Sequence, residues 1–590
     1  MCLSNPLRGL RRGEDRGPAV RLAQAWGVKA RVTPLWTMAR HHMTDQTTPR
    51  APTMWRRPSL GQTTLNLIIA SYIMAILNTG FWDRVSQSFP ASAAQQALFG
   101  VGIWALTLLL LELLGPWRLQ KPMAAVLILI AAGAHYYERS FGVLIDREMV
   151  RNVFETTMTE SRHLITGAAM AQIAVTGMLP AALVFWPKVR RLGPWHQVWR
   201  WPLGVAVSFA LMAGTLFTDY KAFSAALREH HDLLGAYQPG ASLNATLRYA
   251  REQWKTADPV ALPLGTDARP GPLLAAVDKP VLLVIFAGET ARAQNFGLNG
   301  YARDTTPGLR ARDVINFADT TACGTSTAVS LPCMFSRLTQ ADYYRTGFLS
   351  EENLLDVLTH AGVAVEWHDN NTGDQKIATR TGWARVDAAL APEACKVECT
   401  DEAFLPLIED RLATMTQNTV LVLHMIGSHG PAYHLRYPPA RAVFQPECMT
   451  SQFSACTVAQ IVNTYDNTIL ETDFVLSRTI DLMAATDRVN AAMIYLSDHG
   501  ESLGEDGLYL HAAPRFMAPQ EQTKVPFVLW LGYGFQSAMT LNQDCLRDTA
   551  SRSVSHDNLF HSVLGLLDIA TTVRDPALDL IGPCRRQEAS

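Results

Sequence analysis

Along the first 220 residues the apolar positions come in long blocks instead of alternating with polar ones. Residues 63–82 (TTLNLIIASYIMAILNTGFW) form 20 positions without a charge, the length a helix needs to cross a hydrocarbon core of roughly 30 Å. Residues 97–116 repeat the pattern with Glu112 as their single charge. Residues 122–137, 164–186 and 202–218 complete the series, the third block being the shortest. Buried helices of a soluble core seldom follow one another in this way, so the pattern predicts a five-helix transmembrane domain over residues 61–220.

Beyond residue 276 the pattern changes. VLLVIFA (281–287), VAVEW (363–367), TVLVLHMI (419–426), AAMIYL (491–496) and PFVLWL (526–531) are short β-rich runs, the mark of strands buried on both faces of a parallel sheet. Helical stretches such as NLLDVLTHAG and IVNTYDNTILETDFVLSRTIDLM separate them. This alternation predicts a doubly wound, mainly parallel α/β sheet over 276–590, with right-handed crossovers and a site beyond the carboxyl ends of the strands. Residues 221–275 read as a connector, helical at first (DYKAFSAALREHHDLL, from Asp219) and Pro/Gly-rich at its end (ALPLGTDARPGP). Residues 1–60 are Arg-rich without an apolar span, unlike a secretory signal. They read as an extension in which Met38, Met43 or Met54 is an alternative start.

Charge sets the orientation. The short flanks carry Arg50, Arg56 and Arg57, then Arg118 and Lys121, then Lys188, Arg190, Arg191 and Arg200, whereas the first–second loop has only Arg84. The third–fourth loop mixes its arginines with Asp146, Glu148, Glu155 and Glu160. Positive-inside bias keeps the N-terminus inside, and five crossings place everything after residue 220 outside, in the periplasm of a bacterial inner membrane. Over 590 residues, 53 acidic and 51 basic side chains nearly cancel, which argues against a nucleic-acid binder. With 48% hydrophobic and 18% charged residues, and a mean hydropathy of +0.04, the chain averages an apolar part and a polar one. Disordered, collagen-like and small disulfide-scaffold classes are excluded.

The cysteines agree with that topology. Apart from Cys2, all eight lie beyond residue 320, and an even number on the outside reads as disulfides. Neighbours suggest Cys323–Cys333, Cys395–Cys399 and Cys448–Cys456, leaving Cys545 with Cys584.

Chemistry gathers just past the apolar runs. Gly288-Glu289-Thr290 follows the first, Gly427-Ser428-His429-Gly430 the third, and Ser497-Asp498-His499-Gly500-Glu501 the fourth, with His511 close behind. Three strand ends thus bring carboxylates and imidazoles to one edge, a ligand set suited to zinc. The segment Cys323–Cys333 holds Thr325, Ser326, Thr327 and Ser330 at what reads as a loop entering a helix. A hydroxyl there would feel both a metal and the positive helix end, and the residues alone do not separate the four. His424 lies inside a buried run and His556 and His561 on an amphipathic helix, so these three read as structural.

Several long motifs, GETARAQNFGLNGYARDTTPGL (288–309), CGTSTAVSLPCMFS (323–336), GSHGPAY (427–433), SDHGESLGEDGLYLH (497–511) and SHDNLFHSVLG (555–565), resemble the signatures of the phosphoethanolamine transferases that modify lipid A, a family that includes the mobile colistin-resistance enzymes. The resemblance runs from about residue 60 to the C-terminus. It implies five membrane helices with a periplasmic domain of the alkaline-phosphatase/sulfatase type. It makes Thr327 the nucleophile that becomes phosphoethanolamine-modified, and Glu289, Asp498 and His499 the residues that hold zinc with the Thr327 oxygen. His429 and His511 match a pair that contacts the phosphoryl group or a second zinc. Asn152, Thr156 and Glu160 match positions near the phosphoethanolamine site, and their spacing places them on one helix face. The implied donor is phosphatidylethanolamine, the acceptor a lipid A phosphate, the protein a monomer among membrane lipids, and the outcome resistance to polymyxin and other cationic peptides. WHDNNTGDQKIATR (367–380) lacks the cysteine pair many members carry after Asn-Asn, and His434 stands where an aromatic is common; both bear on acceptor choice. Rival readings are transfer to a core heptose or periplasmic glucan, or a hydrolase of the same superfamily. The Cys/Ser-x-Pro-x-Arg motif of sulfatases is absent around Thr327.

Overall fold

The computed structural model describes residues 57–586 apart from 156–157, 191–192, 231 and 256–259. The first apolar block holds two helices, α1 (Gln62–Ile76) and α2 (Thr79–Ser88). They are followed by α3 (Ala93–Leu114), α4 (Gln120–Phe141), and two short helices in the polar loop, α5 (Arg147–Glu155) and α6 (Met158–Leu164). Then come α7 (Gly167–Leu183), α8 (Pro194–Thr218), and the connector helices α9 (Tyr220–Glu229) and α10 (Gly240–Lys255).

Length and apolarity single out fewer spans than the five expected. Among the described residues, α3 and the Val198–Thr218 part of α8 are each long and apolar enough to cross a membrane, and α1 with α2 makes a third if that pair is one span. The first block is bent by 68° where one straight helix was expected. The cause is Asn78, fully buried at the break. Its Nδ2 donates to the carbonyls of Ile73 (3.0 Å) and Gln238 (2.8 Å), and its Oδ1 accepts from the Gln238 N–H (2.7 Å). The Asn78 side chain thereby shares the Ile73 carbonyl with the Leu77 N–H (3.0 Å) and ties the break to the backbone of a distant connector residue. In α7 the chain passes through a π-type turn at Ala174–Met178 just before Pro180. Proline has no N–H for the Thr176 carbonyl four residues back, and the Tyr72 hydroxyl of α1 donates to it instead (2.6 Å). Glu112, the one charge of its block, is buried and accepts from Asn66 (2.8 Å), whose own Oδ1 accepts from Gln120 (2.8 Å).

The second half is an eight-stranded sheet. Its strands are β1 (Val281–Gly288), β2 (Val314–Thr321), β3 (Ala364–Asp369), β4 (Ala384–Arg385), β5 (Thr419–His424), β6 (Asn490–Ser497), β7 (Lys524–Leu531) and β8 (Val554–Ser555), in the order β8-β2-β7-β6-β1-β5-β3-β4. Only β7 runs antiparallel to its neighbours, so the sheet is mainly parallel. Strand β2 was not expected. Its sequence, VINFADTT, mixes buried with half-exposed positions because its outer neighbour is only the two-residue β8. Successive side chains of β1 go to opposite sides: Leu283 and Ile285 to one core, Leu282, Val284 and Phe286 to the other. That two-sided burial is why β1 reads as an unbroken apolar run. Helices α11 (Thr327–Met334), α12 (Val458–Ala484) and α13 (Asp557–Leu566) cover the faces. Disulfides join Cys323 to Cys333, Cys395 to Cys399, Cys448 to Cys456 and Cys545 to Cys584.

Candidate active site

Register brings the strand ends together. Ala287 of β1 pairs with His424 of β5, and Gly288 with Ser497 of β6. The next residues of all three strands therefore fall on one edge. Gly427 makes the close approach possible: its φ is +48°, and a Cβ there would lie 2.5 Å from the Glu289 carbonyl oxygen. The neighbouring Ser428 N–H donates to that carbonyl (3.0 Å).

Glu289, Asp498 and His499 are all buried, and each offers one ligand-type atom within 4.8 Å of the others'. His499 Nδ1 is 2.9 Å from the Gly500 carbonyl. A carbonyl only accepts, so Nδ1 carries the proton and Nε2 presents its lone pair. That Nε2 lies 3.3 Å from Asp498 Oδ2 and 3.6 Å from Glu289 Oε1. Burial, reinforced by nearby His511, pushes His499 down to about 3, which keeps the ring neutral. Asp498 Oδ1 accepts from the N–H groups of Thr290 (3.1 Å) and His499 (2.7 Å). Its Oδ2 is buried with no hydrogen-bond partner among the described residues. Burial and the Glu289 charge raise the Asp498 carboxyl well above its ordinary value. Burial would raise Glu289 too, but His429 and His424 hold it well below. Two buried carboxylates, one with an orphaned oxygen, beside a bare imidazole nitrogen fit a divalent cation, and zinc suits this mixed oxygen and nitrogen donor set.

Thr327 opens α11 behind Ser326, which holds the N-cap position. Its Oγ1 lies 3.2 Å from both Glu289 oxygens and 3.4 Å from His499 Nε2. Thr325 turns away to the Ala513 carbonyl (2.7 Å), and Ser330 accepts from Gly324 N–H within its own loop (2.8 Å). The loop is pinned by the Cys323–Cys333 disulfide and by His556, whose Nδ1 accepts from Cys323 N–H (3.1 Å) and whose Nε2 bonds the Ser497 carbonyl (2.9 Å). His561 accepts from Asp575 N–H (2.9 Å), away from the site.

His429 and His511 stand beside the cluster, their rings 5.7 Å apart, with His511 4.5 Å from the His499 ring. His511 Nδ1 bonds Glu501 (2.9 Å), which also accepts from Tyr433 (2.5 Å). Both histidines close the inner end of a cavity of about 270 Å³ whose apolar walls include Tyr137, Phe141 and Met149. Asn152 of α5 lines the same cavity. Thr156 lies outside the described residues, as does the side chain of Glu160 in α6.

One set of residues went unread in the sequence. His424, read as structural, reaches Asp369 through Nδ1 (2.7 Å) and Glu289 Oε2 through Nε2 (3.8 Å). Burial opposes a charge on it, yet Asp369 and Glu289 pull it up to about 10. Asn371 donates to Glu289 Oε2 (2.7 Å). The available signal was Asp369-Asn370-Asn371 at the end of a β-run, the placement that singled out the other ligands.

Residues 281–569 match the sulfatase family model, and residues 103–254 match that of the phosphoethanolamine transferases EptA and EptB. The chain is 36% identical to phosphoethanolamine transferase EptA of Salmonella typhimurium over 90% of its length and 98% of that protein's. The chain belongs to the phosphoethanolamine transferase family. The transferase is also 32% identical to phosphatidylethanolamine transferase Mcr-1 of Escherichia coli, over 88% of this chain and 98% of the other. Its structure matches the integral membrane lipooligosaccharide phosphoethanolamine transferase A of Neisseria meningitidis with a TM-score of 0.85, at 33% identity, over 90% of this chain and all of that one. The transferase is thus an integral membrane protein with a periplasmic catalytic domain.

Proposed function

We propose that the protein transfers phosphoethanolamine from phosphatidylethanolamine to a phosphate of lipid A through a covalent adduct on Thr327, and so lowers sensitivity to polymyxin and cationic peptides. The observation that carries this reading is the position of Thr327 Oγ1, at a helix start and within 3.4 Å of both a buried carboxylate and a bare imidazole nitrogen. Glu289, Asp498, His499 and the Thr327 oxygen would hold zinc. When bound, such an ion supplies positive charge that favours the alkoxide and offsets phosphoryl charge.

In the first step Thr327 Oγ1 forms a bond to the donor phosphorus, the bond from phosphorus to the glycerol oxygen breaks with its electron pair going to that oxygen, and the Thr327 hydroxyl proton ends on it, releasing diacylglycerol. In the second an oxygen of the acceptor phosphate bonds that phosphorus. The electron pair of the broken P–Oγ1 bond returns to Thr327, which takes up the proton of the acceptor's phosphate monoanion. Splitting one exchange into two gives each a short path. His429 and His511 contact the phosphoryl oxygens, and the apolar cavity that Asn152 lines takes the donor; Thr156 and Glu160 are assigned to the donor by the family resemblance alone. The chain is read as a monomer with five crossings and divisions at 1–60, 61–220, 221–275 and 276–590, the bent α1–α2 pair counting as one crossing. Capping a phosphomonoester with an ammonium-bearing diester lowers surface charge, which is what weakens polymyxin binding.

Two measurements test this. Peptide mass mapping after incubation with phosphatidylethanolamine is expected to find the adduct on Thr327, absent in Thr327→Ala and retained in part by Thr327→Ser. An adduct on Thr325, Ser326 or Ser330 would refute the assignment. Mass spectrometry of lipid A and core oligosaccharide from expressing cells is expected to show modified lipid A; modified heptose or glucan with unmodified lipid A would reassign the acceptor.

A further inference from the structure

Helix α5 separates two cavities of opposite character. Its Met149, Asn152 and Val153 line the apolar one, and Arg147, Glu148 and Arg151 line a second of about 640 Å³. Spacings of three and four residues give each trio its own helix face. The second cavity ends on Thr325 and Ser326, against the loop that carries Thr327, and Ala512, next to His511, lines both cavities. The two chambers thus lie on either side of one helix, one against the loop that carries Thr327 and the other against His429 and His511, while Thr327 itself lines neither.

The second chamber holds six arginines against three carboxylates. Glu148 and Glu252 are engaged by Arg147 (2.6 Å) and Arg151 (2.7 Å). The remaining four arginines form no ion pair among the described residues. Arg345 donates to the Ala328 carbonyl (3.3 Å) and lies over the Phe348 ring (5.9 Å), and Arg515 donates to the carbonyls of Ala322 (3.0 Å) and Cys323 (2.8 Å) with the Asp557 charge nearby, so arginines outnumber carboxylates in the chamber even with that charge counted. Arg248 and Arg251, one turn apart on α10, are exposed.

Taking the transferase reading above as given, we propose that this chamber seats the phosphomonoester head of the acceptor lipid, with Arg248 and Arg251 as its outer contacts. Chemistry separates the two substrates. The donor head carries an ammonium that the chamber's excess of guanidiniums repels, and a phosphomonoester is the anion that arginine forks bind best. Transfer turns that phosphomonoester into a diester with an ammonium attached, so the product loses affinity for the chamber as it forms. Donor and acceptor need not exchange places: each reaches Thr327 from its own side.

The test uses the full-length protein in nanodiscs with the pair Arg248→Glu/Arg251→Glu and the conservative pair Arg248→Lys/Arg251→Lys. Binding is read in a Thr327→Ala background with bisphosphorylated lipid A, with phosphatase-treated lipid A and with inorganic phosphate. Turnover is read separately as diacylglycerol release and as transfer. Charge reversal is expected to raise the acceptor KM and weaken bisphosphorylated lipid A binding about tenfold or more. The donor KM is expected to shift less than about twofold, and the lysine pair to stay within about threefold of the parent. Weakening in the lipid A arm alone assigns the site to the lipid head, and weakening also with inorganic phosphate assigns it to the phosphate group in either form. Unchanged acceptor binding after reversal, or equal loss with phosphatase-treated lipid A, overturns the proposal. Failure of the parent protein to form any adduct would refute the transferase reading, and the binding arms would still judge the chamber.

Discussion

Both halves of the molecule bury polar side chains where regular backbone ends, and they use them oppositely. In the membrane half, Asn78 ties a helix break to the connector backbone at Gln238, Tyr72 answers a proline, and Asn66, Gln120 and Glu112 bond one another. At the sheet edge, Glu289, Asp498 and His499 aim at a shared centre, and an Asp498 oxygen is left over. The amide oxygen of Gln120 is also left without a partner among the described residues, so what sets the sheet edge apart is convergence: amides and a carboxyl that bond one another stabilise a shape, whereas two carboxylates and a bare imidazole nitrogen aimed at one centre await a cation.

That contrast can be broken experimentally. The largest effect is expected from Thr327→Ala, which should reduce transfer by roughly 10⁴-fold or more with little change in thermal unfolding; a comparable loss of stability would make the loop structural. Next, His499→Ala should lower activity by about 10²–10³-fold together with bound zinc, as measured by elemental analysis. Full activity in a zinc-free variant would refute the metal assignment. Asp369→Asn removes the partner that orients His424 behind Glu289, and an affinity loss for zinc of about 10–100-fold is expected; competition with a chelator reads it, and an unaltered affinity would confine Asp369 to structure. The smallest effect belongs to the membrane half. Tyr72→Phe orphans the Thr176 carbonyl and should cost about 1–3 kcal/mol of stability while transfer by the folded fraction is kept. Loss of transfer without loss of stability would dissolve the contrast.

The same contrast explains what could be read in the sequence. Strands β1, β5 and β6 were legible because burial on both faces writes an unbroken apolar run, and the ligands were legible because they stand just past it. Strand β2 was hidden by its polar positions beside a short outer strand, and nothing in PFVLWL declares that β7 runs antiparallel. The α1–α2 break was hidden because the residue that stabilises it, Gln238, lies 160 positions from Asn78. Pro180 is plain to see, but the hydroxyl that answers it comes from another helix. His424 was read from its own strand alone, and its role shows only when Asp369 from β3 and Glu289 from β1 are set on either side. Local pattern reports what a residue's own element buries; it is silent on partners brought from elsewhere.

The two faces of α5 carry a consequence for inhibitor discovery. A soluble fragment starting near residue 276 would keep Glu289, Thr327, Asp498 and His499, yet it would carry one wall of each chamber and lose α5 and α10 altogether. Compounds selected on such a fragment would be chosen for grip on the metal-type ligands, which give little selectivity among hydrolases of related fold. A bifunctional compound that straddles α5, with an apolar arm toward Met149 and an anionic arm toward Arg248, would be invisible in that screen and needs the intact membrane protein to be found.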